Sequence, residues 1–326
     1  MLNDKTILIT GGTGSFGKRA AKIILEKYTP KRLIIFSRDE LKQFEMSQAF
    51  PISQYPCIRF FIGDIRDKER LCRAFHGVDY VIHAAALKQV PAAEYNPFEA
   101  VKTNVIGAQN VINVAIDQGV KKVIALSTDK AANPINLYGA TKLCSDKLFI
   151  AGNSYVGHEH TIFSVVRYGN VLGSRGSVIP FFLKCKKEGL IPITDSRMTR
   201  FWITLEQGVS FVLNCFEQMV GGEVFIPKLP SMSIADLAKA IAPECNIKVI
   251  GIRPGEKLHE VMIPRDEARK TIEFSHHYII QPDFGFWDQR YINNSGNSVS
   301  EDFEYNSCTN PWKLSIEEMR AILKNL

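Results

Sequence analysis

The sequence of 326 residues contains few cysteines and no long run of apolar residues. Its seven cysteines lie far apart and never form a Cys-x-x-Cys pair, so we expect reduced thiols rather than disulfides. They are Cys57, Cys72, Cys144, Cys185, Cys215, Cys245 and Cys308. No run approaches the roughly 18–20 consecutive apolar residues that a membrane-spanning helix needs, and Met1–Lys5 carries no signal-peptide pattern. These absences predict a cytoplasmic protein that makes no membrane contact.

A large excess of charge of one sign is absent as well. The chain has 40 Lys and Arg residues against 34 Asp and Glu residues, which leaves a formal net charge of +6. This charge is compatible with anionic small molecules. Because basic residues are not interleaved with aromatic residues along any segment, we expect no nucleic-acid partner. His276–His277 and His158–His160 lack a third ligand at a suitable spacing, so we expect no metal ion.

The pattern of the first half predicts a fold class. Hydrophobic residues make up 45% of the chain, enough for a sizeable core, and the length suggests about two domains. Short β-branched runs alternate with helical segments such as 18–28 and 101–118. The runs are 6–10, 33–36, 58–62, 80–83 and 122–126. This alternation predicts a doubly wound parallel α/β sheet of the Rossmann type, and we assign residues 1–166 to it as a dinucleotide-binding domain.

The second half is less regular than the first. Seven prolines between Pro180 and Pro264 break it into short elements, which predicts a smaller α+β substrate domain over 167–326. We expect a segment near 199–226 to return to the first domain. The last stretch, 314–326, has helical periodicity, and Ser315 followed by Glu318 predicts its capped start.

A glycine-rich segment lies directly between the first predicted strand and a helix. Its spacing, Gly11-x-x-Gly14-x-x-Gly17, lets the backbone turn tightly and approach a pyrophosphate at a helix N-terminus. Turns also use glycines for conformational reasons alone, but the strand–loop–helix context favours a dinucleotide site. The cofactor residues predicted in this loop are Gly11, Thr13, Gly14, Ser15, Phe16 and Gly17.

The end of the second strand bears on which dinucleotide binds. A free ribose 2′-hydroxyl favours a carboxylate there, whereas a 2′-phosphate favours a cation and small hydroxyls. Ser37 and Arg38, with Lys42 one turn later, fit the phosphate, so NADP is predicted. Asp39 leaves NAD as the alternative, and Asp64 at the end of the third strand is expected near the adenine. The other residues assigned to the cofactor are Ile65, Ala84, Ala85, Ala86, Lys88 and Asn104.

Tyr138 and Lys142 stand at positions i and i+4, on one face of a predicted helix. A tyrosine beside a fixed ammonium and the cofactor should have a lowered phenol pKa, which suits removal of a proton from a substrate hydroxyl. Such pairs also arise by chance on helix surfaces, but here a glycine loop lies upstream and Thr128 ends a predicted strand just before the pair. The combination resembles the extended short-chain dehydrogenase/reductase superfamily, in which Thr128 would be the hydroxyl partner of the tyrosine.

Asp129 and Lys130 add an acid and a base to this set. A simple dehydrogenase or epimerase does not need them, whereas a sugar 4,6-dehydratase does. After oxidation at C4, a base removes the C5 proton while an acid protonates the departing C6 hydroxyl. Lys130 can be that base only when neutral, so we expect burial and nearby positive charge to lower its pKa. The alternative is an Asp–Lys ion pair at the surface.

The segment 127–142 reads Ser-Thr-Asp-Lys-Ala-Ala-Asn-Pro-Ile-Asn-Leu-Tyr-Gly-Ala-Thr-Lys. It resembles the signature of inverting UDP-N-acetylglucosamine 4,6-dehydratases, which begin pseudaminic acid biosynthesis in bacteria that glycosylate their flagellin. The resemblance covers about residues 5–282, and Gln89 departs from it, because close relatives are expected to carry His there. Further matching segments are 37–43, 166–171, 174–177, 197–202 and 253–260.

The resemblance implies a role for each catalytic residue. Asp129 would protonate the C6 hydroxyl, and Lys130 would remove the C5 proton and return it from the opposite face, so that C5 inverts. Tyr138 would activate the C4 hydroxyl, and Lys142 would hold the ribose. Tyr138 also favours the inverting enzymes, because capsular-sugar relatives and the membrane-anchored retaining dehydratases tend to carry Met there.

The resemblance further implies a UDP-sugar, whose two phosphates need donors. Loops of the second half supply arginines that can bind phosphate oxygens, although each arginine alone could equally be a solvated surface residue. The resemblance favours Asn170 and Arg253, followed by Arg175. The residues assigned to the substrate are Lys88, Asn170, Val171, Arg175, Thr194, Met198, Arg200, Arg253 and Glu256.

The predicted activity is therefore the NADP-dependent dehydration of UDP-N-acetylglucosamine by a homo-oligomer. A nucleotide-sugar 4-epimerase or a retaining 4,6-dehydratase is the alternative. The epimerase needs Tyr138 and Lys142 but neither Asp129 nor Lys130. A non-catalytic NADP-binding module is a third alternative, and it predicts loss of the Tyr–Lys pair, which is present here.

Overall fold

The computed structural model describes residues 1–156, 161–174, 176–282 and 296–325. Its first half alternates strands with helices, as the sequence predicts. The strands are β1 (Thr6–Thr10), β2 (Arg32–Ser37), β3 (Ile58–Ile62), β4 (Tyr80–His83), β5 (Lys122–Thr128) and β6 (Ile162–Tyr168). The helices are α1 (Ser15–Lys27), α2 (Glu40–Ala49), α3 (Lys68–Phe75), α4 (Val90–Tyr95), α5 (Pro97–Val101), α6 (Gly107–Asp117) and α7 (Leu137–Gly152). Within these ranges, none of the helices combines the length and the apolar character that a bilayer crossing requires.

Strands β1 to β6 form a parallel sheet in the order β6-β5-β4-β1-β2-β3. The central strands β1 and β4 are buried along their whole length, as expected for a sheet covered on both faces. The strand order reverses at β1, which pairs with β2 on one side and with β4 on the other. This reversal opens a crevice at the carboxyl ends of the strands, where doubly wound sheets bind ligands. The predicted fold class is confirmed.

The second half adds shorter elements. The strands are β7 (Asn170–Val171), β8 (Leu190–Ile193), β9 (Thr199–Ile203), β10 (Val224–Pro227), β11 (Ser231–Ser233), β12 (Asn246–Val249), β13 (Val261–Ile263), β14 (Thr271–Glu273), β15 (His277–Ile280), β16 (Asn297–Ser298) and β17 (Tyr305–Asn306). The helices are α8 (Val178–Lys186), α9 (Leu205–Gln218), α10 (Ile234–Ile241), α11 (Arg265–Ala268) and α12 (Ile316–Lys324). Four of the strands extend the large sheet in the order β16-β14-β15-β10-β6. The others form the small sheets β11-β9-β7, β12-β8 and β13-β17.

Two apolar cores correspond to these layers. The larger core surrounds the large sheet, where β10 pairs in parallel with β6 and α9 packs against α1. The smaller core lies among α8, α10 and α12, and its members include Phe182, Trp202, Leu237 and Met319. The chain thus crosses between the two regions more than once. The division into 1–166 and 167–326 stays a prediction.

The predicted helix over 101–118 is interrupted near its start. A π-helical turn, Lys102–Ile106, separates α5 from α6. Turns of this kind widen the helix locally and are frequent at functional sites. Here the turn carries Asn104, whose side chain is buried. At the C-terminal end, the predicted cap is confirmed, because Ser315 and Glu318 form a reciprocal capping box at the start of α12.

Candidate active site

The glycine loop between β1 and α1 forms a cradle of backbone atoms. Gly11 has a φ of +64°, and a Cβ there would lie 2.8 Å from the backbone of Ala85. A Cβ on Gly17 would lie 2.3 Å from the carbonyl oxygen of Gly12. Gly14 is the N-cap residue of α1 and provides no side-chain cap, so the first N–H groups of the helix can serve a ligand. These residues fit the pyrophosphate of a dinucleotide.

Replacing Gly17 with alanine should lower the free energy of unfolding by about 1–3 kcal/mol, because the new Cβ would overlap the Gly12 carbonyl and force α1 to shift. A urea titration measures the change. Gly208 in α9 provides a matched control, since a Cβ there would find its nearest neighbour at 3.7 Å. Gly208→Ala should therefore stabilise the protein by about 0.5–1 kcal/mol. Equal stability of Gly17→Ala and the wild type would contradict the close approach.

The carboxyl ends of β2 and β3 bring the predicted adenosine-side residues together. Ser37 Oγ lies 2.8 Å from Thr13 Oγ1. The guanidinium of Arg38 is half exposed, and its Nη1 lies 3.7 Å from Asp64 Oδ2. Ile65 follows Asp64, and its side chain is buried against the start of α6. A hydroxyl pair and an accessible cation thus lie at the end of β2.

Asp39 is engaged by Lys42 on the same turn. Asp39 Oδ1 accepts a hydrogen bond from the Lys42 N–H at 3.0 Å and caps α2. Asp39 Oδ2 accepts a second bond from the Lys42 ammonium. Asp39 is the residue for which NAD was kept as the alternative cofactor. Its carboxylate caps α2 and pairs with Lys42.

Asn104 fixes the segment that follows β4. Its Oδ1 accepts from the Leu87 N–H at 2.8 Å, and its Nδ2 donates to the Leu87 carbonyl at 2.8 Å and to Thr141 Oγ1 at 3.0 Å. The carboxamide of Asn104 thus binds protein groups, and its predicted contact with the cofactor stays a prediction. It positions the segment that contains Ala84–Ala86 and Lys88 beside α7.

The catalytic candidates meet where β5 ends. Thr128 is the last residue of β5, and a single 3-10 turn then carries Asp129 and Lys130. Helix α7 places Tyr138 in its first turn, where Thr128 hydrogen-bonds to it. A Cβ on Gly139 would lie 2.2 Å from the Lys130 carbonyl oxygen. The glycine therefore lets α7 approach the 3-10 turn closely, which brings Tyr138 and Lys130 to one site.

Asp129 and Lys130 form an ion pair inside the protein. Lys130 Nζ lies 3.0 Å from Asp129 Oδ1, which also accepts the Thr128 hydroxyl at 3.0 Å. Asp129 is fully buried, while the Lys130 side chain is 26% exposed. Burial raises the pKa of the Asp129 carboxyl, and the nearby Glu260 carboxylate raises it further. A carboxyl with a raised pKa suits the donation of a proton to a leaving group.

The expectation of a lowered pKa at Lys130 is wrong for this structure. Burial acts in that direction, but Asp129 and Glu260 outweigh it and hold the pKa of the ammonium above its usual value. Glu260 Oε1 lies 3.4 Å from Lys130 Nζ. No local spacing rule pointed to Glu260, since it lies far along the chain. Its only signal was its place at the end of the matching segment 253–260.

The pKa of Tyr138 also differs from the prediction, because it is raised rather than lowered. Burial raises its pKa to about 12, because the positive charge of Lys130 and the hydrogen bond with Thr128 do not compensate for the loss of solvent. Lys142 is 3% exposed, and burial lowers its pKa. The buried Asp146, one turn further along α7, opposes this effect. Asp146 was not predicted, although its i+4 spacing from Lys142 was visible in the sequence.

Three predicted substrate residues are buried inside the protein. Arg200 belongs to β9, is 7% exposed, and donates to three backbone carbonyls as well as facing Glu260. Thr194 and Met198 are buried together, with Thr194 Oγ1 3.2 Å from Met198 Sδ. Their polar atoms are directed at protein groups, and their assignment to the substrate stays a prediction.

Strand β7 holds two other predicted substrate residues, Asn170 and Val171. The carboxamide oxygen of Asn170 is buried and has no hydrogen-bond partner among the described residues, so it can bind a ligand. Arg175 lies outside the described residues. The neighbouring Gly176 lies beside Gln89, because a Cβ on this glycine would be 2.9 Å from Gln89 Nε2.

The turn at 253–256 lies beside α7. Arg253 is exposed, and its N–H donates to Glu256 Oε2 at 3.4 Å, so Glu256 helps to close the turn. Asn136, the N-cap residue of α7, donates from Nδ2 to the Gly255 carbonyl at 2.8 Å. The turn that carries Arg253 is thereby held near the start of the helix that carries Tyr138.

Comparison with known proteins reveals similarity along the whole chain. Residues 7–282 match the family model described as polysaccharide biosynthesis protein. The chain is 58% identical to the UDP-N-acetylglucosamine 4,6-dehydratase (inverting) of Campylobacter jejuni, over 100% of this chain and 99% of that protein. It is 42% identical to the UDP-glucose 4-epimerase of Rickettsia felis, over 100% of this chain and 97% of that protein.

Solved structures share the fold. Pen from Bacillus thuringiensis superposes with a TM-score of 0.91 at 39% identity, covering 100% of this chain and 98% of that one. DesIV from Streptomyces venezuelae, a dTDP-glucose 4,6-dehydratase solved with NAD and TYD bound, superposes with a TM-score of 0.69 at 22% identity. That match covers 78% of this chain and 86% of DesIV, and it shows the fold alone.

Proposed function

The chain belongs to the polysaccharide biosynthesis protein family and has the fold of the extended short-chain dehydrogenases/reductases, and from this premise we propose that it is an inverting UDP-N-acetylglucosamine 4,6-dehydratase. It converts UDP-N-acetylglucosamine into UDP-2-acetamido-2,6-dideoxy-β-L-arabino-hex-4-ulose with loss of water. The 58% identity to the dehydratase of Campylobacter jejuni supports the reaction. The observation that carries it is the Asp129–Lys130 pair, held at 3.0 Å beside Tyr138.

Each residue of the site has one task in the proposed reaction. The glycine loop between β1 and α1 would hold a nicotinamide dinucleotide, which would supply hydride transfer from C4 of the sugar and back to C6. Tyr138 takes the proton of the C4 hydroxyl, and the buried ammonium of Lys142 stabilises the negative charge on the phenol oxygen. Lys130 removes the C5 proton, which the adjacent C4 ketone has made acidic. Asp129 protonates the departing C6 hydroxyl, and Lys130 returns a proton to the opposite face of C5.

Mass spectrometry of the nucleotide sugar after incubation with the protein tests this function. We expect UDP-N-acetylglucosamine to give a product lighter by one water molecule. A product of unchanged mass would overturn the proposal and favour the 4-epimerase, the second candidate. That candidate is supported by the 42% identity to the epimerase of Rickettsia felis. It leaves the Asp129–Lys130 pair without a catalytic task.

We infer that the cofactor is NADP rather than NAD. The Ser37–Thr13 hydroxyl pair and the half-exposed Arg38 guanidinium suit a 2′-phosphate. The Asp39 carboxylate, which would suit a 2′-hydroxyl, is engaged by Lys42. Mass spectrometry of the nucleotide released from the denatured protein should therefore detect NADP, and detection of NAD alone would contradict the inference.

Replacing Arg38 with alanine should raise the Kd for NADP by about tenfold and leave the Kd for NAD nearly unchanged, because the proposed partner of the guanidinium is the 2′-phosphate, which NAD lacks. Fluorescence titration with each nucleotide measures both constants. Arg59→Ala is the matched control, since this arginine lies on β3 and donates to the nearby carbonyls of Pro56 and Ile58. Equal weakening of both nucleotides by Arg38→Ala would argue against a 2′-phosphate contact.

Further proposals concern the setting of the reaction. Asn170 and Arg253 hold the UDP moiety, supported by the unpartnered Asn170 oxygen and the exposed Arg253 turn beside α7. The product feeds pseudaminic acid biosynthesis for flagellin glycosylation, as the sequence resemblance implies. The protein works in the cytoplasm as a homo-oligomer. Gel filtration with light scattering tests the oligomer, and disruption of the gene followed by analysis of flagellin glycans tests the pathway.

A further inference from the structure

A second carboxylate lies against the proposed base. Glu260 is 2% exposed, and its Oε1 is 3.4 Å from Lys130 Nζ. The Glu260 N–H donates to Ser307 Oγ at 2.9 Å, and its carbonyl accepts from the Ser307 N–H at 2.8 Å. Two backbone hydrogen bonds therefore fix the residue just before β13. Its Oε2 is buried with no hydrogen-bond partner among the described residues, so the side chain is held by the ion pairs that Oε1 makes with Lys130 and Arg200.

The cations around Glu260 have protein partners of their own. Arg200 Nε lies 3.5 Å from Glu260 Oε1, and the other guanidinium nitrogens of Arg200 donate to three backbone carbonyls. Lys257 donates to the Ala132 carbonyl at 2.6 Å, just after the catalytic 3-10 turn. Lys130 has only carboxylates, those of Asp129 and Glu260, as ion-pair partners in the described residues. Glu260 thus acts on the Asp129–Lys130 pair while Arg200 holds it in place.

We propose that Glu260 is a positioning residue that keeps one shared proton on the Asp129–Lys130 pair and so prepares the acid and the base together. This inference rests on the proposed dehydratase function. The proton moves from Lys130 Nζ to Asp129 Oδ1 across the 3.0 Å hydrogen bond, so an N–H bond breaks and an O–H bond forms. The ammonium becomes the neutral amine that removes the C5 proton. The carboxylate becomes the acid that protonates the C6 hydroxyl, and no outside proton donor is needed.

The charges around the pair explain why Glu260 is needed. The groups that act on the pair are Thr128, Tyr138, Glu260, Arg200, Lys257 and Lys88. Glu260 is the one carboxylate in this set, and it raises the pKa of both Asp129 and Lys130. Without Glu260, the positive charge of the neighbouring cations would cause the Asp129–Lys130 pair to lose its shared proton at a lower pH. The amine would then remain, but the acid would be lost.

The pH profile of dehydration tests the role of Glu260 in the full-length protein with UDP-N-acetylglucosamine. Loss of the shared proton sets the alkaline limb of that profile. Glu260→Gln should move this limb down by about 1–3 pH units. Lys257→Met removes an opposing cation and should move the same limb up. Glu223→Gln is the matched control, since Glu223 is equally buried but binds Ser164 and the N–H groups of Val220 and Gly221, outside the site.

The possible outcomes distinguish a failure of the proposed role of Glu260 from a failure of the proposed dehydratase function. A wild-type protein that dehydrates no substrate would overturn the proposed function. A wild-type protein that dehydrates, together with a Glu260→Gln variant whose alkaline limb is unmoved, would overturn the inference alone, even if the variant is slower at every pH. Should Glu260→Gln fail to fold, Glu260→Asp decides the question, because it keeps the charge but draws the carboxylate away from Lys130 Nζ. An alkaline limb that stays at the wild-type pH in that variant rejects the role of Glu260.

Discussion

Replacing Lys130 with methionine should lower the turnover of UDP-N-acetylglucosamine by about 10²–10⁴-fold while the 4-keto sugar still forms. Methionine has a similar length and no basic nitrogen, so Asp129 keeps its burial but loses the partner 3.0 Å away. Oxidation at C4 depends on Tyr138 and Lys142 and should continue. The C5 proton would have no base to remove it, so the reaction should stop before water is lost.

Two measurements on the Lys130→Met variant distinguish this block from general damage. The absorbance of reduced nicotinamide after mixing with substrate reports C4 oxidation, and it should rise and persist. Exchange of the C5 proton with deuterated water should be lost. Lys121→Met, which removes an exposed lysine paired with Asp79, should behave like the wild type. Retention of full turnover by Lys130→Met would favour the 4-epimerase instead.

Replacing Tyr138 with phenylalanine should lower turnover by about 10²–10⁴-fold and block the reaction one step earlier than Lys130→Met does. The variant retains the ring that packs at the start of α7 but removes the oxygen that takes the C4 hydroxyl proton. No reduced nicotinamide should appear, and no C5 exchange should occur, because C5 becomes acidic only after C4 is oxidised. Stopped-flow absorbance and deuterium exchange measure both effects.

Tyr80→Phe serves as the matched control for this variant. Tyr80 is also buried, but it lies at the start of β4 and packs near Phe216, away from the site. It should retain the wild-type turnover. A Tyr138→Phe variant that still reduces the cofactor with UDP-N-acetylglucosamine would show that another group takes the C4 proton, and it would remove Tyr138 from the mechanism.

Features governed by local rules could be predicted from the sequence. The strand–loop–helix context of Gly11 and Gly17 predicts the cradle that the structure contains, because only a residue without a Cβ fits where backbones approach to 2.3 and 2.8 Å. The i and i+4 spacing of Tyr138 and Lys142 predicts their shared helix face. The alternation of strands and helices predicts the parallel sheet and, with it, the edge at which these residues meet.

Features that depend on distant parts of the chain could not be predicted in this way. The positive charge of Lys130 is stabilised by its neighbour Asp129 and by the distant Glu260, and no periodicity in the sequence indicates the contact with Glu260. Arg200 was expected in a loop, but it belongs to a strand and is satisfied by carbonyls of neighbouring segments. Asn104 lies on a π-helical turn, whose extra residue shifts the side-chain phase that a regular helix pattern assumes.

The electrostatics of the site follow from this arrangement. A lysine buried near other positive charges would be neutral and ready to act as a base, as expected from the sequence. A lysine facing Asp129 and Glu260 is held as an ammonium. The base must therefore be generated by moving a proton within the site, and Asp129, at 3.0 Å, is the nearer of the two carboxylate acceptors. The ion pair with Asp129 keeps Lys130 protonated, and transfer of that proton to Asp129 produces both the neutral base and the acid.

The nuclear magnetic resonance spectrum of the product formed from UDP-N-acetylglucosamine in deuterated water tests the dehydratase assignment most directly. We predict a 4-keto-6-deoxy sugar with the L-arabino configuration and deuterium at C5, delivered by Lys130 to the face opposite the one deprotonated. A 4-epimer that retains its C6 hydroxyl, or a 6-deoxy product with the original configuration at C5, would contradict it.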